Sequence, residues 1–112
     1  MAAGDVDGFL RILTPDAVFF PPNVAPKSGA AVAPWISEFL NGYNVEFQEH
    51  RHDEVLVAEQ WALLRTSFRW RVTPLLSGDA FVRLGNTVRV FRQDSTQSWR
   101  LAREIWTTYP TV

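Results

Sequence analysis

Apolar residues recur at helical spacing in two short stretches near the start of the chain, and then the period changes. Val6, Phe9, Leu10 and Leu13 fall at i, i+3, i+4 and i+7, the stripe of a short amphipathic helix with Asp5 as its N-cap and Pro15 as its end. Ala17 to Phe20 reads as a short buried strand. Pro21, Pro22, Pro26 and Gly29 then impose an irregular loop from Pro21 to Gly29. Val32, Trp35, Ile36, Phe39 and Leu40 restore the helical spacing, with Asn41 and Gly42 as the stop. Pro34 is compatible with this helix only in its first turn, where no intrahelical donor is lost.

From Tyr43 the period is two. Tyr43, Val45 and Phe47 alternate with Asn44, Glu46 and Gln48, as in a strand with one buried face. Glu54 to Ala58 and Trp61 to Thr73 are predicted as two further strands joined at Glu59 and Gln60. Pro74, Gly78 and Asp79 mark a turn, and Thr87 to Gln93 and Ser98 to Thr108 form a closing hairpin around Asp94 to Gln97. Two helical segments followed by a run of antiparallel strands predict an α+β fold, its helices segregated to one face of a curved sheet.

Composition narrows the chemistry. A length of 112 residues supports one domain, 1–112, and there is no repeat or linker. The absence of Cys excludes thiol catalysis, Cys-based zinc sites and disulfides. A net charge of -1 gives no general electrostatic case for a nucleic-acid or membrane partner. No apolar run reaches the ~18 residues of a membrane span, and the start lacks the basic residues of a signal peptide, so the cytoplasm is the expected location. The chain is rich in aromatics, at 13% with five Trp, and its basic residues are almost all Arg. Arg favours fixed, planar contacts with carboxylates, which points to structured ion pairs.

The run from Leu13 through Pro15, Asp16 and Ala17 to Pro21 and Pro22, followed by Ser28, Gly29 and a helix with Trp35, resembles the start of SnoaL-like and ketosteroid-isomerase-like proteins of the nuclear transport factor 2-like superfamily. Val88 to Arg92, then Ser98 to Trp106, are similar to that family's closing hairpin. The resemblance implies a cone of cystatin-like topology: a curved antiparallel sheet wrapped around N-terminal helices, with a pocket at its open end. It also implies that the family's long first helix is here shortened or missing. In the isomerase branch a general-base Asp precedes the Pro matching Pro22, and Pro21 stands in that slot without an ionisable group. The oxyanion Tyr of that branch lies on the shortened helix, and its companion acid matches Arg89. Steroid isomerisation by the family mechanism is therefore not expected.

By the same resemblance, Ala102, Glu104 and Trp106 face the pocket, with Trp99, Leu101 and Ile105 on the outer face. Glu104 beside an indole could serve as acid or base, or could form a structural ion pair with Arg89 on the neighbouring strand. His50 and His52 share a strand face and could act together, but Glu49 to Glu54 is almost wholly polar and reads as an exposed bend. On the long strand, Ala62, Leu64, Thr66, Phe68, Trp70 and Val72 should line the concave side, while Arg65, Ser67, Arg69 and Arg71 face outward toward acidic neighbours. Phe20, Trp35, Phe47, Phe68, Trp70 and Trp106 are the candidate aromatic wall. The function read from this is binding of a small apolar molecule. An isomerase, cyclase or hydrolase role follows if Glu104 acts, and the alternative is a non-enzymatic dimerisation or partner-docking domain. A homodimer through the sheet is expected, with no cofactor and no metal.

Overall fold

The computed structural model describes residues 6–110. The element order is α1 (Val6–Arg11), β1 (Leu13–Phe20), β2 (Lys27–Ser28), a single 3-10 turn (Gly29–Ala31), α2 (Val32–Gly42), β3 (Tyr43–Ala58), β4 (Trp61–Pro74), β5 (Phe81–Gln93) and β6 (Trp99–Pro110). Asp5, the expected cap of the first helix, lies outside the described residues, as do the side chains of Val6 and Leu40. The strands form one curved, unclosed α+β sheet in the order β2-β1-β6-β5-β4-β3, antiparallel except where β1 runs parallel to β6. None of the described helices is long and apolar enough to cross a membrane.

Helix α2 forms where the spacing predicts it, with Pro34 in its first turn. It begins from the 3-10 turn, whose Gly29 adopts a φ of 55°, the left-handed region that glycine enters without a Cβ clash. At its other end the backbone passes directly into β3, Tyr43 being already extended. Val32 and Ile36 are buried against Phe9, Ala17, Phe19 and Leu101, which make up the main hydrophobic cluster. The helices therefore cover the β1, β5 and β6 side of the sheet.

Several local features differ from the expectation: the loop from Pro21 to Gly29 contains the short strand β2, and the sheet carries four register shifts. β1 begins at Leu13, directly after α1, and its register against β6 shifts between Leu13 and Val18. Pro15, which has no N–H to donate, sits in that irregular stretch, where a missing ladder bond is tolerated. Residues 43–58 form one continuous strand, so Glu49 to Glu54 is a stretch of β3 and no bend separates two strands. Register shifts between Phe47 and Glu49 and between His52 and Glu54 each absorb one residue. Phe47, His50, His52 and Val55 consequently pair across from Trp70, Phe68, Thr66 and Leu64, all on the concave face.

A fourth shift, between Val90 and Phe91, places Leu101 opposite Phe91. Leu101 is thereby turned into the core, at 1% exposure, and is not an outer-face residue. The same change of parity carries Trp99 off the convex face, leaving Ile105 there. Finally, β5 starts at Phe81, six residues earlier than the alternation predicts, and this brings Phe81 and Arg83 into the sheet.

Candidate functional site

The concave face is built around a chain of aromatic rings that leads from the core to the surface. Phe9 meets Phe19 edge-on at 5.7 Å between centroids, Phe19 meets Trp35 at 6.2 Å, and Trp35 meets Trp106 at 6.4 Å. Trp106 in turn meets Trp70 at 4.9 Å, and Phe68 stacks on Trp70 at 4.2 Å. Strand β5 yields room for this cluster at Gly85, where a Cβ would overlap both the Phe68 ring and the Thr107 carbonyl.

Two cavities open along this wall and share Trp35, Phe39, Trp70 and Trp106. The outer cleft, about 260 Å³, is bounded by Pro21 and Pro22 after β1, Phe39 and Tyr43 at the end of α2, and Phe81, Arg83 and Thr108 on the sheet. Its wall is overwhelmingly apolar. The inner cavity, about 50 Å³, reaches Phe47, His50, Thr87, Arg89 and Glu104.

Glu104 is buried at 6% exposure, on the floor of the inner cavity. Arg89 lies directly opposite it in the β5–β6 ladder, and Arg89 Nε donates to Glu104 Oε1 at 2.5 Å. A carboxylate removed from water is held there by a guanidinium on the facing strand, which offsets much of its desolvation. The buried hydroxyls of Thr66 and Thr87 bond to each other beside this pair. His50 is held below the usual imidazole range, first by loss of solvent and then by the positive charges of Arg89 and His52. The His50 and His52 rings lie 5.2 Å apart, but no group of three potential metal ligands occurs among the described residues.

Of the residues expected at the site, Trp35, Phe47, Trp70, Arg89, Glu104 and Trp106 line one or both cavities. Phe68 stands behind Trp70 as buried support. Phe20 does not join them: the inward residues of β1 are Ala17 and Phe19, so the alternation turns Phe20 outward, 40% exposed. Phe39, Tyr43, Phe81, Arg83 and His50 were not anticipated as lining. Continuing the alternation of Thr87 and Arg89 backward through Gly85 would have found Arg83 and Phe81. The outward row behaves as expected, with Arg65 beside Asp53 and Glu54, Ser67 bonded to Asp53 and Arg69 donating to Gln48.

A curved antiparallel sheet folded over two helices, with an aromatic cleft at its open side, defines the α+β cone of the nuclear transport factor 2-like class. The chain matches the SnoaL-like domain over residues 1–107 and belongs to that family. Among solved structures, a conserved protein from Planctomyces limnophilus is 22% identical with a TM-score of 0.83, the match covering 95% of this chain and 84% of that one. A ketosteroid isomerase-like protein from Erwinia carotovora atroseptica is 18% identical with a TM-score of 0.88, over 96% and 83% of the two chains. A putative calcium/calmodulin-dependent kinase II association domain from Exiguobacterium sibiricum is 14% identical with a TM-score of 0.69, over 97% and 81%. At these identities the likeness is one of fold. No curated protein matches the chain.

Proposed function

We propose that this SnoaL-like chain, as a single domain over residues 1–112, binds a small apolar molecule in the outer cleft. The observation that carries this reading is the cleft itself: about 260 Å³ of space walled by Trp35, Trp70, Trp106 and Phe39, with few polar groups. Apolar concavities with a small number of placed polar groups are the usual form of small-molecule sites. The ketosteroid isomerase-like neighbour supports the reading only as an analogy of fold.

Within this reading Glu104 and Arg89 hold the cavity floor together. Arg89 Nε engages Oε1 of Glu104, so an acid or base role for this carboxylate, and with it an isomerase, cyclase or hydrolase activity, would fall to Oε2. The base position of the isomerase branch remains occupied by Pro21, a buried residue with nothing to titrate. Titration of tryptophan fluorescence with naphthalene-2-carboxamide tests the binding claim. We expect one saturable site per chain, lost when Thr108→Phe fills the cleft mouth. An unsaturable response, or one indifferent to Thr108→Phe, would overturn it.

A second reading rests on a separate observation. The convex side of the sheet leaves Leu56, Trp61, Ile105 and Tyr109 exposed, an apolar set suited to a second copy of the chain. The association-domain neighbour is consistent with assembly through this fold. Light scattering should then show a homodimer, and Ile105→Arg should convert it to a monomer without loss of ligand binding. A wild-type monomer at high micromolar concentration contradicts the dimer.

A further inference from the structure

The concave face presents two arginines on β5, and they are placed differently. Arg89 is paired with Glu104 on the floor of the inner cavity. Arg83, three repeats of the pleat toward the mouth, lines the outer cleft and has no carboxylate partner among the described residues. Its guanidinium carbon lies 4.5 Å from the centroid of the Phe81 ring, and its Nη1 donates to the Val82 carbonyl at 3.2 Å. The ring contact and that bond hold the group in place, and its Nε and Nη2 edge has no partner among the described residues. A held guanidinium with one open edge is a receptor for a planar, two-oxygen anion.

The rest of the cleft agrees in sign. Among the described residues no Asp or Glu lines the outer cleft, and the one carboxylate of the inner cavity is matched by Arg89. The remaining polar groups of the cleft are the hydroxyls of Tyr43 and Thr108, which can donate or accept, while the Nε1 atoms of Trp70 and Trp106 are buried within the wall with no partner among the described residues. Among the described residues Arg83 thus leaves the concave face with one unmatched positive charge, although the chain as a whole carries -1. A cation would meet repulsion there, and a dianion would find a single guanidinium.

Resting on the reading of the cleft as a ligand site, we propose that it takes a small apolar acid. The ligand is a monocarboxylate on an aromatic or branched aliphatic body, with the body against Trp35, Trp70 and Trp106 and the head group on Arg83. The apolar wall supplies the area and Arg83 sets the polarity and orientation of what enters. Burial against indoles strengthens the ion pair by excluding water from it.

Isothermal titration with naphthalene-2-carboxylate and with naphthalene-2-carboxamide, the same body with a charged or a neutral head, tests the proposal at neutral pH. The carboxylate should bind about tenfold more tightly than the carboxamide, the gain expected of a charge-assisted contact. In Arg83→Gln the ratio should fall to about one, and in Arg83→Lys it should stay above one, since charge without the fork gives part of the effect. Raising the salt concentration should lower the ratio in the wild type and in Arg83→Lys but not in Arg83→Gln. Saturable binding of both ligands with equal affinity in the wild type overturns the acid proposal and leaves the cleft as a ligand site. Binding of neither overturns the ligand-site reading, and the acid proposal with it. An Arg83→Gln variant that keeps its fold by circular dichroism and retains the full carboxylate preference also overturns it.

Discussion

The covered half of the sheet and the arm formed by the far ends of β3 and β4 are built from similar sequence but sit in different surroundings. Under the helices, Phe19, Ile36 and Leu101 are almost wholly excluded from solvent. On the arm, Val55, Leu56 and Val57 are equally apolar, yet each is more than half exposed. Strand alternation fixes which residues share a face, but burial depends on what lies over that face. The helices lie over β1, β5 and β6, and so the core, the ion pair and the cleft gather there.

The sharpest way to break this comparison is to cut the same kind of side chain from both regions. Leu101→Ala should destabilise by about 4 kcal/mol, because a fully enclosed site cannot collapse around the missing atoms. Val57→Ala, on the arm, should change stability by less than about 0.5 kcal/mol. Chemical denaturation of the two variants checks this, and similar values would contradict the division.

Next in size is the ion pair, which belongs to the covered half. Glu104→Gln should destabilise by about 3 kcal/mol, because it leaves the Arg89 guanidinium half-buried without its charge partner. Joint replacement by Glu104→Leu and Arg89→Met should cost less than the sum of the single changes, with a coupling of about 1–3 kcal/mol. Strict additivity in this cycle would mean that the pair does not act as a unit.

Smaller effects should appear on acidification. Asp16, on β1, is lowered from 3.8 to about 2, chiefly by its bonds to Arg92 on β5. Its folded form stays charged where the unfolded chain takes up a proton, so its contribution is present above about pH 4 and lost as the pH falls through about 2. Arg92→Gln should therefore flatten the fall in Tm over that window. Asp16 is open to solvent, so the change should be modest and should diminish in salt.

The smallest expected effect comes from His50 on the rim of the inner cavity. Its folded form resists protonation, whereas the unfolded chain protonates at about the ordinary value of 6.5. Stability should thus decline as the pH falls below about 6.5, and His50→Gln should remove that slope. An unchanged slope in the variant would assign the acid sensitivity to other groups.

Much of this arrangement could be read in the sequence because it depends on period. The change from helical to twofold spacing at Gly42 marks the entry into the sheet, and the alternation on β4 separates Thr66, Phe68 and Val72 from the outward arginines. Facing strands with known parity also bring Glu104 opposite Arg89. What could not be read depends on single-residue insertions. A bulge leaves the composition unchanged but reverses every side chain beyond it, which is why Leu101 turned inward and why His50 joined Phe47 on the concave face. Phe19 and Phe20 are adjacent and alike, so the sequence offers no polar neighbour to decide which faces in. Arg83 was missed because Pro74 to Ala80 contains strong turn residues, and the start of β5 follows them without any marker of its own.

The five tryptophans divide between the two kinds of surroundings, and this permits the most direct test of the central claim. Trp35, Trp70 and Trp106 line the cleft, whereas Trp61 and Trp99 are exposed away from it. In 15N-labelled protein titrated with naphthalene-2-carboxamide, the indole N–H resonances of Trp35, Trp70 and Trp106 should move together along one saturating curve, while those of Trp61 and Trp99 stay in place. Movement confined to Trp61 and Trp99, or no saturating movement at any of the five, would contradict the assignment of the aromatic cleft as the ligand site.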